Sequence, residues 1–146
     1  MIVLGIDPGE QTGVARYEDG ELIDLDTRAP VELLDLLREV APDRVVYEDS
    51  RLQSRVWVSG AHAGARAKGL SIARDIGRVD ARCADLVAAC ERLSIPAHGI
   101  SPQAKGAKMD AEQFARLTGW ARRCNQHERD AAMVAWPYRR AGTEAR

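Results

Sequence analysis

The stretch VLGIDPGEQTGVA, residues 3–15, decides how this chain folds. It begins with a short apolar strand and runs directly into Asp7 and a Pro-Gly pair before a second apolar run starts. Asp, Pro and Gly are common turn formers, so one interpretation is an ordinary turn between two strands. The alternative is a carboxylate placed where a buried strand emerges. The rest of the chain is needed to decide between them.

The length of the chain, 146 residues, predicts a single domain spanning residues 1–146. The sequence has no apolar run of about 18 residues, and its start has no basic segment followed by an apolar one, so neither a membrane span nor a secretory signal is expected. Cys83, Cys90 and Cys124 lack paired spacing, which fits reduced thiols and a cytoplasmic protein. Cys124 and His127 form a C-x-x-H pair, but two further ligands for a structural zinc ion are missing from this pattern.

Charge is distributed unevenly, although the net charge is only -1. Residues 1–49 hold 13 acidic and 4 basic side chains, whereas residues 50–146 hold 9 acidic and 17 basic ones. This asymmetry is expected when one part of a protein concentrates carboxylates and another part meets a polyanion. Solvated helices also carry many arginines, so charge alone does not establish a nucleic-acid partner.

Apolar periodicity predicts an α/β fold with the element order β-β-β-α-β-α-β-α-α, a five-stranded mixed sheet flanked by helices. The Asp19-Gly20 pair predicts a tight hairpin, so the first three strands are expected to be antiparallel. A loop is expected over residues 50–61. In the long helix that follows this loop, the apolar pattern places Ile72 on the packed face. Strands are predicted over residues 1–7, 12–18, 21–27, 45–47 and 95–100, and helices over residues 31–40, from the loop to about residue 93, and over 110–118 and 126–136.

Acidic side chains end two of the predicted strands, since Asp7 closes the first strand and Glu48 the fourth. If these strands are neighbours, two carboxylates lie side by side, which is unfavourable without a cation or a proton. Asp49 competes with Glu48, because a shift of one residue in strand phase would exchange them. His127 and Asp130 lie three residues apart and therefore project from one face of the last helix. Such a convergence would form a mostly oxygen ligand set suited to Mg²⁺ or Mn²⁺.

Three motifs, in order along most of the chain, resemble those of the RuvC-type Holliday junction resolvases, which are members of the ribonuclease-H-like nuclease superfamily. LGIDPG followed by TGVA resembles the opening motif of that family, VVYED its fourth-strand glutamate, and HERDAA its terminal helix. The resemblance implies a ribonuclease-H-like fold. It also implies a catalytic metal site formed by Asp7, Glu48, His127 and Asp130, in which His127 is a ligand, a general base or a residue of the helix surface.

The activity that this resemblance implies is hydrolysis of phosphodiester bonds in branched DNA, above all in four-way junctions. Two Mg²⁺ ions per site, with Mn²⁺ as a substitute, would activate a water on one side of the phosphodiester and stabilise the departing 3′ oxygen on the other. The product would carry a 5′-phosphate. A homodimer that makes paired cuts is also implied, since one domain of this size carries one site.

Basic side chains outside the three motifs are candidates for contacts with DNA phosphates. Arg74 and Arg78 recur at a spacing of four on the long helix, although acidic neighbours on the same helix are alternative partners for them. Where the family carries an aromatic residue that stacks into the junction, this sequence has Arg51 and Leu52, so Trp57 is either a substitute wedge or an anchor of its own loop. The predicted DNA-binding residues are Arg51, Arg55, Trp57, Arg74 and Arg78, together with Lys105 and Lys108, which resemble the lysine-bearing segment of the family.

Two alternative functions are compatible with the same fold. The RuvX/YqgF-type ribonucleases share the G-I-D-x-G opening and act on RNA, but they continue with a Gly-Pro segment after the fourth strand, where this chain has YEDSR. A non-catalytic binder of branched nucleic acid is the second alternative. Retention of all four ligand-type residues argues against a binder, because four polar groups in one cleft would be costly without a metal ion.

Overall fold

The computed structural model describes residues 1–53 and 63–142, apart from the side chains of residues 63–66. Short 3-10 turns lie at Pro30–Glu32, Ser50–Leu52 and Trp136–Tyr138. The strands are β1 (Ile2–Asp7), β2 (Thr12–Glu18), β3 (Glu21–Arg28), β4 (Arg44–Glu48) and β5 (Ala97–Ile100). The helices are α1 (Leu33–Val40), α2 (Ala63–Arg92), α3 (Pro102–Lys105), α4 (Ala111–Thr118) and α5 (Gln126–Ala135).

The five strands form one mixed sheet in the order β3-β2-β1-β4-β5. The first three strands are antiparallel, as the sequence predicts, and Asp19 and Gly20 make the turn between β2 and β3 with positive φ angles of 50° and 88°. β4 pairs in parallel with β1, and β5 in parallel with β4. The predicted five-stranded mixed sheet flanked by helices is therefore confirmed.

Helices cover both faces of the sheet, because the side chains of each strand alternate between two apolar layers. Leu4 and Ile6 of β1 pack with residues of α1 and α2 in one cluster. Val3 of β1 packs on the opposite face, in a cluster that contains Phe114 of α4 and Ala131 of α5. Asp7 lies four residues after Val3 on β1, so its side chain is on the same face of the sheet as Val3 and α5.

Several sequence predictions differ from the structure in detail. β5 begins at Ala97 rather than residue 95, because the amide of Ile95 donates to the Cys90 carbonyl in the turn that ends α2. The short helix α3, which starts at a proline after the Ser101 cap, was not predicted. α5 ends at Ala135 and continues as a 3-10 turn through the proline that was expected to stop it. The first part of the predicted loop at 50–61 is a 3-10 turn whose N-terminal amide bonds to Asp49, while residues 54–61 lie outside the described residues.

The first half of α2 extends beyond the sheet. A helix of 30 residues is about 45 Å long, far longer than the strands it covers. Ser50, which directly follows β4, donates a hydrogen bond of 2.7 Å to Asp80 of α2. The residues of α2 that precede Asp80 therefore extend beyond the carboxyl end of β4. The predicted packing of Ile72 is therefore wrong: Ile72 is 46% exposed, and Leu70 is 66% exposed. Across the described parts of the chain, no helix combines the length and the apolar character needed to cross a membrane.

Candidate active site

Two parallel strands bring Asp7 and Glu48 to the same edge of the sheet. Ile6 of β1 is in register with Tyr47 of β4, so the next residue of each strand, Asp7 and Glu48, lies at the carboxyl end of the pair. Tyr47 belongs to the cluster on the α1 and α2 face, and Val46 belongs to the cluster on the α5 face. Glu48 alternates with Tyr47 and therefore shares the α5 face with Asp7. The phase of β4 thus favours Glu48 over Asp49 as the partner of Asp7.

Asp49 has a different role, because it is 4% exposed and its carboxylate is saturated by nearby donors. It accepts hydrogen bonds from the Tyr47 hydroxyl at 3.1 Å and from the Arg51 amide at 3.1 Å. The Nε and Nη2 atoms of Arg51 each donate to it at 2.8 Å. These bonds, those of the Arg51 side chain above all, hold the pKa of Asp49 below its ordinary value. The guanidinium of Arg51, a residue predicted to bind DNA, is therefore occupied by hydrogen bonds to Asp49.

Two glycines allow α5 to lie directly on the sheet. A Cβ atom at Gly5 would lie 2.1 Å from the carbonyl oxygen of Ala131, and one at Gly13 would lie 2.0 Å from the carbonyl oxygen of His127. The buried Tyr17 hydroxyl also donates a 2.9 Å hydrogen bond to the Ala132 carbonyl. Any side chain at these glycines would push the helix away from the sheet. The two glycines therefore set the distance between α5, which carries His127 and Asp130, and the sheet.

The start of α5 is fixed by a capping box that is tied to β3. The side chain of Asn125 accepts from the Glu128 amide at 3.0 Å, and the side chain of Glu128 accepts from the Asn125 amide at 2.9 Å. Thr27 of β3 joins both residues, since its hydroxyl donates to Glu128 at 2.9 Å and accepts from the Asn125 amide group at 2.7 Å. His127 is thereby held at a defined position in the first turn of the helix.

His127 meets Asp7 across the edge of the sheet. The Nδ1 atom of the imidazole lies 3.2 Å from Oδ2 of Asp7, and the imidazole side chain is 50% exposed. Burial raises the pKa of Asp7, and the nearby charges of Glu48 and Asp130 raise it further, against the opposing effects of Lys105 and His127. The raised pKa means that the folded protein holds this carboxylate at a cost.

Lys105, the last residue of α3, lies among the carboxylates. Its ammonium forms an ion pair with Oε2 of Glu48 and lies 3.6 Å from Oδ1 of Asp130, and the side chain is only 8% exposed. Burial on its own would lower the pKa of Lys105. The hydrogen bond with Glu48 and the charges of Glu48, Asp130 and Asp7 outweigh burial, so the pKa is raised. Two carboxylates therefore contact one internal cation, and the charge of a third, Asp7, also acts on it.

The chemistry of this donor set fits a divalent metal ion, because hard carboxylate oxygens outnumber the single ammonium that neutralises them. Among the residues that the structure describes, no three His, Cys, Asp or Glu side chains are arranged to hold a metal ion. Lys105 lies between Glu48 and Asp130 in this arrangement. A metal ion would therefore need this ammonium to turn away from the carboxylates.

Among the other predicted DNA-binding residues that the structure describes, Lys108 and Arg78 lie near this edge. Lys108 is 71% exposed and lies 4.0 Å from Oδ2 of Asp130. Arg78 of α2 lies 3.7 Å from Glu10, in the turn between β1 and β2, and 4.0 Å from Asp75, the acidic neighbour that the sequence offered as an alternative partner. Arg74, one turn earlier, is exposed. Arg55 and Trp57 lie outside the described residues.

The sequence interpretation missed two residues of the site, Gln126 and Arg129. Gln126 donates to Asp130 at 2.9 Å, and Arg129 donates to Gln126 at the same distance. The spacing of four between Gln126 and Asp130 places both on one face of α5, which is the signal that could have found the first of them.

The strand order, the paired carboxylates at the ends of two parallel strands and the helix that covers them together define a ribonuclease-H-like fold. The solved structures that are similar to the chain include a Thermus thermophilus RuvC in complex with a Holliday junction substrate, with a TM-score of 0.63, 18% identity, and coverage of 93% of this chain and 90% of that one. A second Thermus thermophilus RuvC structure gives a TM-score of 0.60, 16% identity, and coverage of 93% and 92%. The resemblance to RuvC is therefore confirmed for the fold. No family model and no curated protein sequence matches the chain.

Proposed function

We propose that this chain is a metal-dependent endonuclease that cleaves branched DNA, above all four-way junctions, by hydrolysis of phosphodiester bonds. The observation that carries the proposal is the contact of Glu48 and Asp130 with one buried cation at the edge of the sheet where Asp7 also ends its strand. Acidic groups whose pKa values are shifted by burial and by neighbouring charges cluster at functional sites. The RuvC structure solved with a Holliday junction substrate supports branched DNA as the substrate class.

In this proposal Asp7, Glu48 and Asp130 hold two Mg²⁺ ions, or Mn²⁺ in their place, with His127 as a fourth ligand or as a base. Such ions supply activation of the attacking water and stabilisation of the leaving 3′ oxygen, so that the product carries a 5′-phosphate. The protein itself fixes Asp7 and Glu48 on rigid strands and Asp130 on a helix that rests on the sheet. Lys105, freed from the carboxylates, would turn its ammonium towards the scissile phosphate.

The DNA would lie across the carboxyl edge of the sheet in this proposal. Lys108, Arg74 and Arg78 are exposed there and would contact phosphates, and the charged contacts would make binding strongly dependent on salt. Arg55 and Trp57 remain predicted contacts. We also propose a homodimer that makes paired cuts, with the exposed Leu70 and Ile72 on the overhanging half of α2 as part of the surface for the second copy.

The test is cleavage of labelled four-way-junction, flap and linear duplex DNA in Mg²⁺ and in EDTA. We expect paired, symmetric cuts in the junction that need the metal ion and that Asp7→Asn abolishes while DNA binding persists. Asp24→Asn, on the exposed side of β3, is the matched control and should cleave like the wild type.

Two other results would replace this function with one of the alternatives. Tight binding of branched DNA without any cut in Mg²⁺ or Mn²⁺ would identify a non-catalytic binder. Cleavage of single-stranded RNA alone would identify a ribonuclease of the RuvX/YqgF type.

A further inference from the structure

A line of hydrogen bonds runs along α5 to Asp130. The Nε2 atom of Gln126 donates to Oδ1 of Asp130 at 2.9 Å, and Oε1 of Gln126 accepts from Nη2 of Arg129 at 2.9 Å. Arg129 is itself fixed by the backbone, because Nε donates to the Met109 carbonyl at 3.0 Å and Nη1 to the Cys124 carbonyl at 2.9 Å. Asp130 is therefore linked through two side chains to the loops that precede α4 and α5.

The direction of this line is determined by its chemistry. A guanidinium has only donors, so Arg129 must face the oxygen of the Gln126 amide and not its nitrogen. The amide nitrogen is then left facing Asp130, where it can only donate. An amide that could otherwise flip is thereby fixed as a donor to Oδ1 of Asp130, a side chain that is 7% exposed.

We propose that Gln126 and Arg129 are positioning residues for Asp130. Gln126 holds one carboxylate oxygen so that Asp130 keeps a single orientation towards Glu48 and Asp7, and Arg129 keeps Gln126 in its donor orientation. This inference rests on the proposed function, because it concerns the same metal site. Hydrogen-bond partners of a metal ligand commonly change metal affinity or activity by about 10- to 100-fold when they are removed.

Arg129 also couples Asp130 to the position of a lysine. Its Nε bond holds the carbonyl of Met109, the residue after Lys108, and the ammonium of Lys108 lies 4.0 Å from Oδ2 of Asp130. Loss of Arg129 should therefore loosen both the carboxylate and the loop that carries an expected phosphate contact. Loss of Gln126 should affect the carboxylate alone, which makes the Gln126 variant the cleaner test.

The experiment is titration of Mn²⁺ into the purified protein by calorimetry, with DNA cleavage measured over a range of Mn²⁺ concentrations. The variants are Gln126→Leu, Arg129→Lys and Asp130→Asn, and Gln103→Leu, an exposed glutamine of α3, is the matched control. We expect Gln126→Leu to weaken Mn²⁺ binding by at least about tenfold and to recover cleavage at high Mn²⁺. The variant should stay folded in EDTA with a modestly lower melting temperature, because Oδ1 of Asp130 loses a hydrogen-bond donor. Arg129→Lys should show a smaller loss of the same kind, since lysine keeps the charge but not the fork of donors.

Three outcomes separate this inference from the function on which it rests. Wild-type binding of Mn²⁺ that Asp130→Asn and Gln126→Leu both weaken, with Gln103→Leu unaffected, supports the inference. If Asp130→Asn weakens binding but Gln126→Leu binds and cleaves like the wild type, the positioning role is overturned and the proposed function stands. If the wild type neither binds Mn²⁺ nor cleaves DNA, the proposed function is overturned together with this inference.

Discussion

Replacement of Gly5 by alanine tests whether contact between α5 and the sheet sets the geometry of the site. The new Cβ atom would lie 2.1 Å from the carbonyl oxygen of Ala131, whereas ordinary van der Waals contacts begin at 3.4 Å. The obstacle is backbone of a helix that Tyr17 also holds at the next carbonyl, so α5 must move as a body by about 1 Å. Overpacking of this kind costs about 1–3 kcal/mol and occasionally more, and the rigid obstacle places Gly5→Ala at the upper end, about 3 kcal/mol.

Urea denaturation in EDTA is the measurement. With a urea dependence of about 2 kcal/mol per molar, a loss of about 3 kcal/mol lowers the unfolding midpoint by about 1.5 M. Gly77→Ala is the matched control, because a Cβ atom there meets nothing within 4 Å and alanine stabilises a helix interior by about 0.5–1 kcal/mol. DNA cleavage should also fall by about a hundredfold in Gly5→Ala if Asp130 is displaced by about 1 Å. A midpoint within about 0.2 M of the wild type would refute the close packing of α5 on β1.

Three further predictions concern the charged residues of the site, all in EDTA. The pKa of Asp7 is raised in the folded protein above its ordinary value of 3.8. The contribution of Asp7 to the free energy of unfolding is therefore fully present below pH 3.8 and is lost as the pH rises through the raised pKa. Asp7→Asn should therefore unfold at a higher temperature than the wild type near neutral pH, with the difference disappearing as the pH falls below 3.8, and a lower melting temperature would contradict this. Asp49 has the opposite shift, so its contribution is present above 3.8 and is lost as the pH falls through the lowered pKa. Asp49→Asn should lower the free energy of unfolding by about 1.5–3 kcal/mol at neutral pH and by less in acid, as measured by urea denaturation. Lys105→Gln leaves three carboxylates without their cation and should cost about 3–5 kcal/mol, partly restored by Mn²⁺, whereas Lys108→Gln, at a side chain that is 71% exposed, should cost less than about 1 kcal/mol. Equal losses in these two lysine variants would contradict the burial of Lys105.

The pattern of short apolar runs and turn signals was enough to predict the five strands, because strands that are buried on both faces, such as β1 and β4, read as continuous apolar stretches. It also placed Asp7 and Glu48 at strand ends, where the parallel pairing of β1 and β4 brings them together. The packing of Ile72 was wrong because a helical pattern does not reveal where the sheet beneath it ends. α3 was missed because its four residues span little more than one helical turn and carry no period.

The part of the site that sequence could not predict depends on side chains meeting across the fold. The sequence placed Lys105 near a phosphate-binding segment, but its position against Glu48 follows from how α3 leaves β5, which no local pattern encodes. Arg129 is an ordinary helix arginine in sequence, and its role appears only when the carbonyls of Met109 and Cys124 are brought beside it. Asp49 and Glu48 could be told apart only when the phase of β4 was known.

The contact between Asp7 and His127 joins residues that are 120 positions apart in the chain. Bringing such distant segments together carries a large loop-closure entropy, so this contact is expected to form after the local hairpin of β2 and β3. A folding intermediate with a formed sheet but an undocked α5 would hold Asp7 and Glu48 without Asp130 or His127. The same holds for a native molecule in which α5 opens locally. Partly folded chains would therefore carry no complete site. Under the proposed function, DNA would be cut only by molecules that have also acquired the surfaces proposed to select a branched substrate.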